Sequence, residues 1–156
     1  MCSPNLPVGS YSYSQGLEWA VESGWISSVN DTRNWVEELL RGPLQHQDLV
    51  ILTRLYRAAA GTRADDFNYY ADFMLACRET NELRREERDR ALAMASLLNG
   101  LPMTSSDNDS ALTADDNSFR ESVKSALHNT PLAGLAVAAA GWGLSLIHIS
   151  EPTRPY

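Results

Sequence analysis

The chain has 156 residues, a length typical of one domain and sufficient to bury a sizeable core. Its 13 basic and 20 acidic side chains give a net charge of −7, which argues against nucleic-acid binding because that function needs clustered Lys and Arg. Lys124 is the only lysine and has no neighbouring glycine, so the chain lacks a P-loop for nucleotide phosphates. We find neither a disulfide framework nor a signal-peptide pattern, and therefore expect a cytoplasmic protein without a membrane span.

The stretch LPVGSYSYSQGLEWAVESGW, residues 6–25, joins an extended aromatic front to a short helix. Ser12 and Gln15 have the spacing of a capping box, which predicts that the helix begins near Ser14. Gly24 predicts where the helix ends. The predicted apolar side consists of Leu17, Ala20 and Val21.

A second helix is predicted over residues 32–41, with Asn30 and Asp31 as candidates for its N-cap. Gly42 and Pro43 should end or kink this helix. Its predicted apolar face consists of Trp35, Val36, Leu39 and Leu40.

A third helix is predicted over residues 44–60. Leu49 and Val50 widen its apolar stripe, which favours a central position in the fold. Asp48 falls in line with that stripe, so we expect this carboxylate to lie at the rim of the core or to be paired.

A long helical pattern follows over residues 64–98, and Thr62 to Asp65 resembles a capping box at its start. A break near Thr80 is left open. A loop is expected over 99–117, then a helix over 118–128 and a helix over 131–143 whose small residues suit close packing against a neighbour. The predicted buried side of the long pattern consists of Phe67, Tyr70, Ala71, Met74, Leu75, Leu83, Met94, Leu97 and Leu98.

The segment RETNELRREERDR, residues 78–90, is densely charged. Part of it fits a solvated helix face with ion pairs four residues apart, namely Arg78–Glu82, Arg85–Asp89 and Glu86–Arg90. The rest interrupts the buried stripe, because Arg90, Glu87 or Glu86, and Glu79 fall in phase with it. Such charges indicate either internal ion pairs or a face that contacts a partner, and both interpretations stay open.

Two stretches resemble one known family. LPVGSYSYSQGLEWAVESGW is similar to the N-terminal signature of the urease accessory protein F (UreF) family, and MLACRETNELRREERDRA to its central arginine–glutamate helix. NWVEELL and DLVILTRLYRAA match more loosely. The residues of the central helix in matching positions are Arg78, Glu79, Glu82, Leu83 and Arg84.

The resemblance implies an all-α bundle of five to six helices that acts in urease maturation by nickel insertion. It implies a non-catalytic scaffold without a cofactor, working as a homodimer between urease accessory protein D (also called H) and the GTPase urease accessory protein G on the urease apoprotein. On this interpretation the partner interface would include Gln15, Glu18, Arg78, Glu79 and Glu82.

We expect residues 1–143 to form one helical domain that is shorter than family members at both ends. Residues 144–156, LSLIHISEPTRPY, resemble a translated sequencing adapter and are predicted to be a non-native tail.

Metal binding and catalysis find little support in the residues. Cys2, Cys77, His46 and His128 lack ligand spacing, so we expect no metal site within one chain, and no catalytic set can be nominated. Two alternatives stay open. One is a helical DNA-binding regulator, with residues 32–41 and 44–60 as a helix-turn-helix, and the other is a small hydrolase.

Overall fold

The computed structural model describes residues 16–101 and 114–144, and within these ranges all regular structure is helical. This confirms the all-α class. The predictions for Ser12, Ser14 and Gln15, and for the tail after residue 144, concern residues outside the described ranges. The elements are α1 (Leu17–Glu22), α2 (Val29–Leu39), a kinked segment with π-type hydrogen bonds (Leu40–Asp48), α3 (Leu49–Ala60), α4 (Ala64–Ala76), α5 (Asn81–Asn99), α6 (Ala114–Ser122), a 3-10 turn (Ala126–His128) and α7 (Pro131–Gly141).

The core lies where α3, α4, α6, α7 and the 3-10 turn meet, and α5 packs against α7 beside it. α7 packs against both α3 and α5, and its small residues allow a close approach, as the sequence predicted. A Cβ atom added at Gly134 would lie only 2.5 Å from Cγ of Met94 on α5. The largest fully buried side chains are Phe67, Leu55, Met74, Val123 and Thr130.

The long pattern over 64–98 is divided at Thr80, which was one of the two versions left open. α4 ends at Ala76, and the Thr80 hydroxyl caps α5 by accepting a hydrogen bond of 3.2 Å from the Leu83 backbone N–H. The break also explains one error. Leu83 is 41% exposed instead of lining the core, since it lies in the first turn of a new helix.

The capping box predicted at Thr62 to Asp65 is wrong. Arg63 occupies the N-cap of α4 and makes no side-chain cap; its Nε instead donates to Asp66 Oδ2 at 2.8 Å. Thr62 has a φ of 51°, which is a left-handed backbone conformation. A capping threonine is normally extended and does not adopt this conformation.

α2 begins three residues before the predicted start because Ser28, and not Asn30 or Asp31, is its N-cap. Ser28 Oγ accepts from the Asp31 backbone N–H at 3.1 Å, and Asp31 Oδ2 accepts from the Ser28 backbone N–H at 2.9 Å. Hydrogen bonds to this carboxylate, the Ser27 backbone N–H first, lower the pKa of Asp31. Val36 and Leu40 of the predicted apolar face are exposed.

Gly42 and Pro43 kink the chain, as the sequence predicted, and Gly42 has non-helical angles (φ −89°, ψ −108°). The kinked segment therefore occupies residues 40–48, and α3 starts at Leu49 instead of 44. Leu49 and Val50 are exposed, so the predicted widening of the stripe is wrong. α3 is nevertheless central, since it contacts α4, α7 and the kinked segment.

The helix predicted over 118–128 is divided into α6 and the 3-10 turn, and α6 starts at Ala114, inside the predicted loop. α7 matches its prediction except that it ends at Gly141. In the described parts of the chain, no helix combines the length and the apolar character needed to span a bilayer.

Candidate functional site

The Glu87 carboxylate on α5 is buried, with 2% of the residue exposed, and accepts three hydrogen bonds. Its Oε1 accepts from Thr130 Oγ1 at 2.6 Å, and its Oε2 accepts from Arg78 Nε at 3.0 Å and Arg90 Nη2 at 3.3 Å. A buried carboxylate is tolerated when it is paired and hydrogen-bonded in this way. We define the Glu87 network as Asp48, Arg78, Glu86, Glu87, Arg90 and Thr130.

Arg78 joins three elements through this network. Its side chain leaves the α4–α5 connection, contacts Glu87 on α5, and places Nη2 3.6 Å from Asp48 Oδ1 at the end of the kinked segment. Its own carbonyl oxygen accepts from Arg84 Nε at 2.9 Å. The break at Thr80 makes this possible, because the connection lets Arg78 turn toward α5.

Asp48 is the least satisfied member of the network. Burial raises the pKa of its carboxyl; Arg78 acts in the opposite direction, and the charge of Glu87 raises the pKa further. Within the described residues, Asp48 Oδ1 and Arg90 Nε are both buried and have no hydrogen-bond partner.

A cleft of about 370 Å³ opens over the Glu87 network, between the kinked segment and α5. Its lining is half apolar and half charged. The apolar lining residues are Leu39, Leu40, Pro43, Leu44 and Leu83, and the charged ones are Asp48, Arg78, Glu86, Glu87 and Arg90.

A second, more open groove of about 540 Å³ lies along α2. Trp25, which is 67% exposed and meets Trp19 edge to face at 4.8 Å, forms one side of it. Trp35 Nε1 is buried there without a hydrogen-bond partner among the described residues. The lining residues are Trp25, Ile26, Asp31, Asn34, Trp35, Glu38 and Leu39.

The residues predicted for a partner interface have different positions. Glu18 on α1, Glu79 in the α4–α5 connection and Glu82 in the first turn of α5 are exposed. Glu82 accepts from its own backbone N–H and from Thr80, which lowers its pKa. Arg78 has only 19% of its side chain exposed and belongs to the Glu87 network, while Gln15 lies outside the described residues.

Of the ion pairs expected four residues apart, Arg85–Asp89 and Glu86–Arg90 form, at 3.8 Å and 3.3 Å. Arg78 pairs with Glu87 and Asp48 instead of Glu82. Asp48 forms an ion pair with Arg78, which was one of the two outcomes expected for this carboxylate.

Thr130, which donates to Glu87, was not among the residues predicted for a site. A threonine before Pro131 signals a helix start, and its hydroxyl does accept from the Leu132 backbone N–H at 3.3 Å. Its bond to Glu87, 43 positions away, leaves no local pattern.

In the described part of the chain, no group of three or more His, Cys, Asp or Glu side chains is arranged to hold a metal ion. His46 and His128 are exposed, and Cys77 is half-buried with a free thiol.

The helical architecture and the ion-paired interior define an all-α protein with a charged cleft on its surface. The chain belongs to the UreF family, whose model matches residues 26–149. This confirms the resemblance seen in the sequence.

Curated relatives agree with the family match. The urease accessory protein UreF of Alcanivorax borkumensis is 41% identical over 146 residues, which cover 94% of this chain and 60% of the relative. The protein of the same name from Pseudomonas entomophila is 41% identical over 146 residues, covering 94% and 59%. That of Escherichia coli O157:H7 is 45% identical over 98 residues, covering 63% and 44%. The chain therefore spans about 60% of the length of the first two relatives.

Proposed function

We propose that this chain acts as a non-catalytic accessory protein in the maturation of urease by nickel insertion. It would work in the cytoplasm as a scaffold, bridging urease accessory protein D/H and the GTPase urease accessory protein G on the urease apoprotein, as a homodimer in the full-length protein. The observation that carries this proposal is the family match over residues 26–149, together with relatives that are named urease accessory proteins.

The structure supports a scaffold role by the way it holds α5. The Glu87 network fixes this helix to the kinked segment and, through Thr130, to α7. Glu79, at the end of the α4–α5 connection, and Glu82, in the first turn of α5, are exposed to solvent next to this network. A rigid, exposed helix end suits docking, because little conformational entropy is lost when a partner binds.

We propose that Gln15, Glu18, Glu79 and Glu82 contact partners directly, and that Arg78 contributes by positioning the start of α5. The burial of Arg78 and its two ion pairs support this division of roles.

The test uses the full-length protein with Glu79→Ala and Glu82→Ala combined. We expect weaker retention of the D/H and G accessory proteins in a pull-down, by roughly tenfold as for loss of charged interface contacts, and reduced urease activation in cells. Glu121→Ala serves as the control, since Glu121 is an exposed acid on α6 that pairs only with nearby Lys124 among the described residues. Unchanged retention and activation in the double variant would refute this interface.

The helix-turn-helix alternative is not favoured by the geometry. That motif joins its helices by a turn of three to four residues, whereas the nine-residue kinked segment separates α2 from α3. No observation favours the hydrolase alternative.

A further inference from the structure

We propose that the cleft between the kinked segment and α5 binds a lysine or arginine side chain from a partner protein. That the donor is a partner in urease maturation rests on the proposed function. The cleft and its chemistry are independent of that identity.

The charges that line the cleft favour a cationic occupant. Three carboxylates, those of Asp48, Glu86 and Glu87, line the cleft together with two guanidinium groups, those of Arg78 and Arg90. The lining therefore carries one more negative than positive charge when all five groups are ionised, and a bound cation would balance it.

Hydrogen bonding at Asp48 is incomplete. Arg78 Nη2 is 3.6 Å from Asp48 Oδ1, close enough for an ion pair but beyond hydrogen-bond distance. Asp48 Oδ1 thus remains a buried acceptor without a donor among the described residues. The Asp48 side chain as a whole is 20% exposed, so an ammonium or guanidinium group in the cleft would supply a donor to this carboxylate.

The lining of the cleft also suits the shape of these side chains. Lysine and arginine carry an aliphatic stem that packs on apolar surface while the charged head reaches polar groups. The cleft is lined by both kinds of surface, leucine side chains and carboxylates. Leu40 and Leu83 are 49% and 41% exposed, so covering them with such a stem would bury apolar surface. A volume of about 370 Å³ lies within the range of ligand pockets.

Other occupants fit less well. An anion would meet the excess of carboxylates, and a wholly apolar side chain would leave the buried Asp48 acceptor unsatisfied. The guanidinium groups already engage Glu86 and Glu87, so a metal ion would find few free carboxylate oxygens.

The experiment titrates the 156-residue chain with N-acetyl-arginine methylamide and N-acetyl-lysine methylamide, followed by ¹H–¹⁵N NMR. N-acetyl-norleucine methylamide, which has a similar stem without the charge, is the matched probe. We expect millimolar binding of at least one cationic probe, as is usual for so small a ligand, with shifts confined to residues lining the cleft. The norleucine probe should bind at least tenfold more weakly. Equal binding of the norleucine probe, or shifts elsewhere only, would overturn the proposal.

Asp48→Asn should weaken the cationic probe about tenfold while Glu121→Gln, on α6 and away from the cleft, leaves binding unchanged. Glu86→Gln is the second variant, to be used in the same way if Asp48→Asn does not fold. Unchanged binding in a folded variant of either residue overturns the proposal.

Retention of the urease accessory partners is measured in parallel with the wild type and the cleft variant. If partners are retained equally by both while the probe is lost, partner use of the cleft is refuted. If the probe binds but no partner is retained by the wild type, the proposed function fails and the cleft assignment stands.

Discussion

The Glu87 carboxylate has almost no exposure to water. It accepts hydrogen bonds from the Thr130 hydroxyl at the start of α7 and from the guanidinium groups of Arg78 and Arg90. Removing one partner from such a group leaves the others buried and unpaired, which costs more than the pair itself contributes. The position therefore matters for stability more than its single charge suggests.

We expect Glu87→Ala to lower the free energy of unfolding by about 3 kcal/mol, the lower end for breaking a buried pair, because Arg78 and Arg90 each keep about a fifth of their side chains exposed. Urea denaturation measures this change. Glu79→Ala, an exposed acid close to the same network, should change stability by less than about 0.5 kcal/mol. Similar losses in both variants would contradict the structural role assigned to Glu87.

Asp48 should make stability depend on pH in the direction opposite to most acids. Because burial raises its pKa, the folded state holds the proton more tightly than the unfolded chain does. Its contribution to stability is therefore present below the ordinary pKa and declines as pH rises through the raised value. Arg78, Glu86, Glu87 and Arg90 are the charged groups that share its cleft.

Asp48→Asn removes this titration while nearly preserving shape. We expect the variant to be at least as stable as the wild type at pH 7, with the difference shrinking as the pH falls to 3. Thermal unfolding across that range gives the comparison. A variant clearly less stable at pH 7 would show that the attraction of Arg78 outweighs burial at this site.

The sequence identified the right region for these charges and the Glu86–Arg90 pair, but not the partners of Glu87. Stepping along a helix at about 100° per residue flagged Glu86 and Glu87 together, since neighbouring positions at the edge of a stripe are not separated by periodicity. The structure distinguishes them: only Glu87 reaches Thr130 on α7. Such long-range contacts depend on how helices pack, which a single sequence does not encode locally.

At the scale of elements, the start of α5 depends on Thr80. Its hydroxyl accepts the Leu83 backbone N–H, and N-cap threonine to alanine changes typically cost about 1 kcal/mol. We expect that loss for Thr80→Ala in chemical denaturation. Thr53→Ala is the matched control, because among the described residues the Thr53 hydroxyl bonds only the Leu49 carbonyl within α3, and alanine is the better helix former there. A loss no larger than in the control would mean that the cap contributes nothing.

Gly134 fixes the distance between α7 and α5. An added Cβ would lie 2.5 Å from Met94 Cγ and 3.2 Å from Leu98 Cδ1. Overpacking costs about 1–3 kcal/mol, whereas alanine gains about 1 kcal/mol over glycine in a helix. We therefore expect Gly134→Ala to destabilise the protein by about 1 kcal/mol.

The same substitution in a Met94→Ala background should be neutral or stabilising, because the clash is relieved. A double-mutant cycle in urea measures the coupling. Stabilisation by Gly134→Ala in the wild-type background would show that the two helices have room to spare.

Helix ends with strong local signals were predicted well from the sequence. Pro131 marks the start of α7, and Gly24, whose φ is +75°, follows the end of α1. The start of α2 was displaced because Ser28, Asn30 and Asp31 are all plausible caps, and the capping box favours Ser28. Leu49 and Val50 are exposed because they lie in the first turn of α3, next to the kinked segment, whereas the buried face begins at Ile51 and Leu52.

At the scale of the whole molecule, apolar side chains are divided between the core and the face formed by α1, α2 and their connection. Trp19, Trp25 and Val29 are 56%, 67% and 84% exposed, whereas Leu55 in α3 is fully buried. A cluster of exposed apolar side chains on a protein surface often marks an interaction site. Leu39 lines both the groove beside this face and the cleft over the Glu87 network.

Trp25→Ala should therefore change the free energy of unfolding by less than about 0.5 kcal/mol but reduce partner retention at least fivefold, since tryptophans are frequent binding hot spots. Leu55→Ala, at a fully buried leucine, should instead lower the free energy of unfolding by about 3 kcal/mol. Calorimetry and pull-downs on the same samples separate the two effects. Full partner retention by Trp25→Ala would show that the exposed tryptophan does not contribute to partner binding.

Gly42, whose backbone angles are not helical, lies three residues after the end of α2, and Trp25 lies four residues before its start. The 11 residues of α2 span roughly 16 Å, so a rotation of about 15° at the glycine would move the far end of the helix by roughly 4 Å. The same rotation would widen or narrow the opening of the cleft beside Asp48, because Leu39 and Leu40 line the cleft and precede Gly42. Since Leu39 also lines the groove next to Trp25, such a rotation would change the shape of both sites at once.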